Sequence, residues 1–274
     1  MNIKMIALDL DGTTLNGWRL TENTQNTLEE AIEKGVHVVI ATGRTYSSLP
    51  EEVFKIKGLE YIITSNGAQI TNLPADEIIY SNCTEGKVIE ELSQLLEKNS
   101  KFPIEVFTEG RAYIDKEVFE RISLHGSTYM NVGYIQRTRK PVPEIYNFLR
   151  RHKDNIENIN IHFELLEDKA EFKEILEKIE GITVTSSFPH NIEIGGPTTS
   201  KATAIEHLCS SMNIDRSEVM ACGDSLNDCT MIEYAGIGVA MGNAEEEVKA
   251  IADFVTLSDA EDGVAYAVKK FVLK

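Results

Sequence analysis

The chain has 274 residues, 42% of them apolar and 26% charged, proportions that support one large domain or two ordinary ones around a real core. It carries 27 basic against 44 acidic residues, a net charge of −17. That balance argues against nucleic acid or an anionic membrane as partner, because both need basic patches, and it obliges any site for an anion to bring its own positive charge.

The apolar run Met5 to Leu8 predicts a buried strand. Glu22 to Lys34 predicts a helix, with Thr21 as N-cap and Gly35 as its stop. Val36 to Ala41 predicts a second buried strand, Ser47 to Lys55 a helix, and Tyr61 to Thr64 a third strand. This β-α-β-α-β order implies an α/β fold, a Rossmann-like parallel sheet with helices on both faces. The middle of the chain differs. Thr84 to Lys98 predicts a helix, and Ile104 to Phe107 and Ala112 to Ile114 flank Glu109-Gly110 as a hairpin. Helices around Val118 to Tyr129 and Glu144 to His152 follow, then a strand at Ile159 to Leu165, a helix at Lys169 to Ile179 and a strand at Ile182 to Thr185. The α/β pattern then returns: helix Lys201 to Met212, strand Val219 to Cys222, helix Asn227 to Ala235, short strand Gly238 to Ala240, and helices Glu245 to Ala252 and Glu261 to Phe271. Residues 1–82 and 189–274 are therefore expected to form one α/β domain, with 83–188 an inserted α+β domain.

No apolar stretch reaches the length of a membrane span, and no secretory signal is visible at the N-terminus. Cys83, Cys209, Cys222 and Cys229 form no Cys-x-x-Cys pair and no zinc pattern, so free thiols in a reducing cytoplasm are expected.

Four motifs fall at predicted C-terminal strand edges, where open α/β sheets bind ligands. Asp9 and Asp11 follow the first strand in Leu8-Asp9-Leu10-Asp11-Gly12-Thr13-Thr14. In a strand, residues i and i+2 share a face, and two acids held together call for a cation or a proton between them. Asp-Gly is also a common turn dipeptide. Thr42-Gly43-Arg44 follows the second strand and offers a hydroxyl and a backbone N–H to an anion, or serves as a plain strand-to-helix turn. Lys201 opens a helix and could face a phosphate oxygen or solvent. Gly223-Asp224-Ser225-Leu226-Asn227-Asp228 puts an acid at a strand end and two polar residues in the next turn, a pattern that also suits an N-capped helix.

The order of these motifs resembles that of the haloacid dehalogenase superfamily of phosphotransferases. The matching residues are Asp9-x-Asp11-Gly12-Thr13, Thr42-Gly43-Arg44, Lys201 and Gly223-Asp224-x-x-Asn227-Asp228. Thr64-Ser65-Asn66-Gly67-Ala68 and the run Ala235 to Ala244 look like signatures of its Cof-type phosphatases, whose insertion at this point is a type C2 cap. One departure is Ala202, where the family usually has Gly.

The resemblance implies Asp9 as nucleophile, forming an aspartyl-phosphate, and Asp11 as the acid that protonates the leaving oxygen and then takes a proton from water. It implies Mg²⁺ held by Asp9, the Asp11 backbone carbonyl and Asp224. Thr42, Gly43, Lys201, Asn227 and the Leu10 N–H would hold the phosphoryl oxygens, and Asp228 would orient a metal-bound water or Lys201. Mg²⁺ and Lys201 would offset three carboxylates and leave the phosphate's own charge, about −1.5 to −2, to helix N-termini and backbone N–H groups. The cap would close over the site, exclude water and select the leaving group. Arg111, Tyr113 and His125 are candidate cap contacts, and Asn66 and Arg44 candidate cleft residues. The activity implied is hydrolysis of a small phosphorylated metabolite such as a sugar phosphate, by a cytoplasmic monomer or weak homo-oligomer. A phosphotransferase or mutase would use the same intermediate, and a phospho-metabolite-binding regulator with a relic site is the non-enzymatic alternative.

Overall fold

The computed structural model describes residues 2–273 and divides into two compact units. Among the described residues the first unit comprises 2–43, 49–81 and 200–273, and the second 44–48 and 82–199.

The first unit is built on a sheet of eight strands among the described residues. Their order is Phe254–Val255, Ile237–Ala240, Val219–Gly223, Met5–Leu8, His37–Ala41, Tyr61–Thr64, Gln69–Asn72 and Glu77–Ser81. The central strand pairs parallel on both sides, Met5 opposite His37 and Val219, and all its residues are buried. That placement explains the unbroken apolar run, since a central parallel strand is covered on both faces. Met5, Ile6 and Leu8 each add about 1.5–3 kcal/mol on burial. The helix Glu22–Glu33 starts as expected, with the Thr21 hydroxyl accepting from the Thr24 N–H, and it buries Thr24, Thr27, Leu28 and Ala31.

The expected parallel α/β sheet is present, with an unexpected edge extension and one helix that needs correction. Gln69–Asn72 and Glu77–Ser81 add two antiparallel strands at one edge of that parallel sheet. Ser47 to Lys55 is not one helix but two short 3₁₀ turns, Tyr46–Ser48 and Val53–Lys55. Pro50 lies between them and disfavours helical backbone at Leu49.

The second unit has a six-stranded sheet among the described residues, ordered Thr183–Thr185, Asn191–Gly195, Ile156–His162, Ile104–Thr108, Arg111–Asp115 and Arg139–Val142. All neighbours are antiparallel except the last pair. The expected edge at 188/189 falls short. Asn191–Gly195 pairs with Ile156–His162 inside this sheet, so the unit runs on to residue 199. The expected strand at Ile159 to Leu165 sits earlier, at Ile156–His162, and Leu165 and Leu166 are exposed. The expected helix from Val118 to Tyr129 is Lys116–His125, ending before Gly126, and a separate helix, Val132–Thr138, follows.

Alternation gives this sheet two faces. Ile104, Val106, Ile159, Ile161, Ile192 and Ile194 pack in one apolar core. The intervening residues Glu105, Asn158, Asn160, His162, Asn191 and Glu193 are polar and also buried. Glu105 Oε2 accepts from Arg139 Nη2 at 2.7 Å and from Asn160 Nδ2 at 3.2 Å. Burial opposes ionisation of Glu105, but Arg139 and His162 hold its carboxyl well below the usual range. A depressed pKa stabilises the fold above the unfolded carboxyl value of about 4.3 and loses that contribution as pH falls toward the folded value. Glu105→Gln leaves the Arg139 guanidinium buried without its anion and is expected to cost about 3–5 kcal/mol at neutral pH. Urea unfolding checks this, and a loss below about 1 kcal/mol would place the pair among those that contribute little.

No helix among the described residues is long and apolar enough to cross a membrane.

Candidate functional site

Parallel pairing puts the C-terminal ends of neighbouring strands on one edge of the first unit's sheet. Asp9 follows Met5–Leu8, Thr42 and Gly43 follow His37–Ala41, Ser65 to Gly67 follow Tyr61–Thr64, and Asp224 follows Val219–Gly223. Lys201 is the first residue of the helix Lys201–Met212, whose N-cap Ser200 accepts from the Thr203 N–H. The same-face argument for Asp9 and Asp11 does not apply, because the strand ends at Leu8 and both acids lie beyond it.

The loop is fixed by its own hydroxyls. Thr14 Oγ1 donates to the Asp9 carbonyl at 2.5 Å, and Thr13 Oγ1 donates to Asp224 Oδ1 at 2.8 Å. Gly12 has φ +76°, and a Cβ there would meet Asp224 Oδ2 at 2.7 Å. Glycine therefore serves both the left-handed turn and the close approach of Asp224. Asn243 Nδ2 donates to the Gly12 carbonyl at 2.8 Å.

Four of the motif residues meet directly. Lys201 is fully buried, and its Nζ donates to Asp9 Oδ1 at 2.5 Å and to Asp228 Oδ1 at 2.6 Å. Asp228 Oδ2 accepts from the backbone N–H groups of Asp224 at 2.9 Å and Ser225 at 3.0 Å. Asp9, Asp224 and Asp228 offer carboxylate oxygens that all lie within 4.8 Å of one another. The cluster thus contains Asp228, which the motif reading put beside Lys201 or a metal-bound water, and it is formed without the Asp11 carboxylate.

Three acids face one ammonium, and their protonation follows from that. Burial would discharge Lys201, yet Asp228 and Asp9 hold it protonated well above the usual lysine range. Asp9 is raised well above the usual carboxyl range, by burial first and then by Asp228, against the pull of Lys201. Asp224 is pushed up to about 6, by burial and Asp228, although Thr13 and Ser225 donate to it. A carboxylate cluster that resists ionisation on its own is one a divalent cation would stabilise. The donors are hard oxygens, and Asp228 accepts three N–H bonds against one at Asp9 and two hydroxyls at Asp224, so Asp9 and Asp224 are the carboxylates with more capacity for such an ion.

The remaining motif residues lie around this cluster. Thr42 is buried, its N–H donates to the Ile63 carbonyl at 2.9 Å, and its own carbonyl accepts from the Asn66 N–H at 3.0 Å. Asn227 Nδ2 donates to Asn66 Oδ1 at 3.0 Å. Leu10 is buried, and its carbonyl accepts from the Leu15 N–H at 2.8 Å. Arg44 belongs to the second unit, where its guanidinium lies 5.0 Å from the Tyr134 ring centre and donates to the Ser48 carbonyl at 2.9 Å. In that unit Tyr113 packs against Phe148 with ring centres 4.6 Å apart, a core role, while Arg111 and His125 are exposed. The motif reading passed over Thr13, Ser225 and Asn243, which hold the acids and their loop. No local signal marks Thr13 for this role, because its contact with Asp224 spans 211 residues.

The model of the haloacid dehalogenase-like hydrolases matches residues 6–268. Phosphatase YwpJ of Bacillus subtilis is 34% identical, over 97% of this chain and 99% of its own. The 5-amino-6-(5-phospho-D-ribitylamino)uracil phosphatase YcsE of the same organism is 32% identical, over 100% and 97%. A solved haloacid dehalogenase-like hydrolase from B. subtilis superposes with TM-score 0.85 at 31% identity, covering 98% of this chain and 100% of that one. A solved sugar phosphatase of subclass IIB of the superfamily gives TM-score 0.82 at 26% identity, with 98% of each chain covered. The shared edge of strand ends, the match along nearly the whole chain and these relatives agree, and the chain belongs to the haloacid dehalogenase-like hydrolases, as an enzyme of their phosphatase branch.

Proposed function

We propose that the protein is a Mg²⁺-dependent phosphatase that hydrolyses a small phosphorylated metabolite through an aspartyl-phosphate on Asp9. The observation that carries this reading is the meeting of Lys201 with Asp9 and Asp228, beside Asp224, at one sheet edge. Asp9 and Asp224, with the Asp11 backbone carbonyl, would hold the ion, which when bound neutralises the acids and the phosphoryl oxygens.

An Asp9 carboxylate oxygen attacks phosphorus, and the bond from phosphorus to the ester oxygen breaks. Asp11 gives its proton to that oxygen, so the alcohol leaves neutral. Asp11, now a carboxylate, takes a proton from water as the water oxygen attacks the phosphorus of the aspartyl-phosphate. The Asp9–phosphorus bond breaks and inorganic phosphate leaves with the Asp9 carboxylate restored. Lys201, the Thr42 hydroxyl, the Asn227 amide and the N–H groups of Leu10 and Gly43 hold the phosphoryl oxygens throughout. Lys201 supplies the local cation that the chain's net charge of −17 makes necessary.

Sugar phosphates and ribityl phosphates are the first substrates to try, supported by the activities named for two of the relatives. A screen of phosphomonoesters with Mg²⁺ present should give free phosphate and dephosphorylated alcohol in equal amounts. Phosphate passed to a second alcohol instead would mark a phosphotransferase. Chelation with EDTA is expected to lower the rate by at least about 100-fold, with recovery on adding back Mg²⁺. Full activity in EDTA would contradict the metal requirement.

A further inference from the structure

One strand-end turn in the first unit has no place in the chemistry above. Ser65, Asn66 and Gly67 take φ values of +50°, +59° and +101°, three left-handed residues in succession. Non-glycine residues with this backbone are uncommon and persist where the surroundings hold them, often near functional sites.

The surroundings are the phosphate-holding segments themselves. The Asn66 N–H donates to the Thr42 carbonyl at 3.0 Å. The Asn66 side-chain Oδ1 accepts from Asn227 Nδ2 at 3.0 Å, across 161 residues of sequence, and both side chains are buried. At Gly67 a Cβ would lie 2.1 Å from the Ser200 carbonyl oxygen and 3.1 Å from the Lys201 nitrogen, so only glycine lets the Lys201 helix start this close. A Cβ on Gly43 would stand 3.0 Å from Asn66 Oδ1 and 3.6 Å from Asn227 Nδ2, which places the amide pair directly over Gly43. A single turn thus touches the Thr42–Gly43 loop, the start of the Lys201 helix and Asn227.

We propose that Asn66 is a positioning residue for phosphoryl transfer, acting through Asn227; this rests on the phosphatase reading above. The Asn227 amide nitrogen has two protons. Asn66 takes one, which fixes the plane of the amide and presents the other over Gly43, where a phosphoryl oxygen would be held. Without Asn66 the Asn227 amide would rotate among several orientations, and the donor would no longer be preorganised for the transition state.

The test is a double-mutant cycle on para-nitrophenyl phosphate with Mg²⁺, using Asn66→Gly, Asn227→Ala and the double variant, with Asp9→Asn alongside. Asn66→Gly keeps the left-handed backbone accessible and removes the whole side chain, carboxamide and Cβ together. It is expected to lower kcat/KM by about 10- to 100-fold and to weaken inhibition by inorganic phosphate. In the Asn227→Ala background the same substitution should change kcat/KM by less than about 3-fold, because the residue it acts through is already gone. Asn66→Asp, which keeps an acceptor oxygen and tolerates the left-handed backbone, should recover kcat more than KM, since it adds a negative charge beside an anionic substrate. Independent losses that multiply in the double variant, or an Asn66→Gly enzyme as active as the parent, would overturn the proposal. Asp9→Asn separates the two levels of the reading. An inactive Asp9→Asn beside a fully active Asn66→Gly overturns the role of Asn66 alone, while a fully active Asp9→Asn overturns the phosphatase mechanism and the positioning role together.

Discussion

Asp9→Asn is expected to lower turnover by at least about 10⁴-fold and to leave the protein folded. The amide has nearly the shape of the carboxylate but lacks its nucleophilic oxygen. Stability should not suffer, because burial and the neighbouring Asp228 already raise the Asp9 carboxyl well above the usual range. A neutral group at this place relieves repulsion among three carboxylates, and Lys201 keeps its second partner, Asp228, at 2.6 Å. Phosphate release and thermal melting are measured on the same preparation. Turnover within about 10-fold of the parent would remove Asp9 from the chemistry, since loss of a true nucleophile costs far more.

Lys201→Met is expected to show the opposite profile, losing stability as well as activity. Methionine fills a similar volume, but it leaves Asp9 and Asp228 buried without the ammonium that both contact. Breaking a buried pair from one side costs about 3–5 kcal/mol. The pH dependence separates charge from packing. In the parent the Lys201 pKa is raised, by Asp228 and Asp9 against burial, so its contribution is complete below the unfolded lysine value of about 10.4 and fades only as pH rises through the folded value. At neutral pH the parent therefore has the full effect and the variant none. With the cation gone, folding favours protonated carboxyls, so the variant should regain stability as pH falls. Urea unfolding at pH 8 and pH 6 measures this. A loss that is equal at both values would assign the effect to packing and not to charge.

The parts of the fold that could be read from sequence were those coded locally. Met5–Leu8 and Val219–Gly223 are unbroken apolar runs because both faces of a central parallel strand are covered, and Thr21 marks its helix start by its own hydroxyl. Asp9, Thr42 and Asp224 stood out for the same reason, each in a short polar segment straight after an apolar strand, whereas Lys201 opens a helix and had no such local mark. What escaped was coded by distant partners. Gln69–Asn72 and Asn191–Gly195 are short and mixed in polarity, and each becomes a strand only by pairing with a neighbour already in place. The Glu105–Arg139 ion pair joins residues 34 apart, and nothing near either one signals it. The single helix expected across Ser47 to Lys55 overlooked Pro50, the one local signal that should have broken it. At the site, adjacency in sequence misled as well. Asp9 and Asp11 are two residues apart, yet the carboxylates that cluster with Asp9 are Asp224 and Asp228, brought in by the neighbouring strand end.

In the proposed reaction the phosphoryl group passes through Asp9. The most direct measurement is to mix the enzyme and Mg²⁺ with a substrate from the phosphate-release screen, quench in acid within a turnover, and locate the phosphoryl group by peptide mass spectrometry. An acid-stable, hydroxylamine-labile phosphoryl group is expected on Asp9 and is expected to be absent from Asp9→Asn. Rapid phosphate release with an unmodified Asp9, or with the phosphoryl group on another residue, would contradict it.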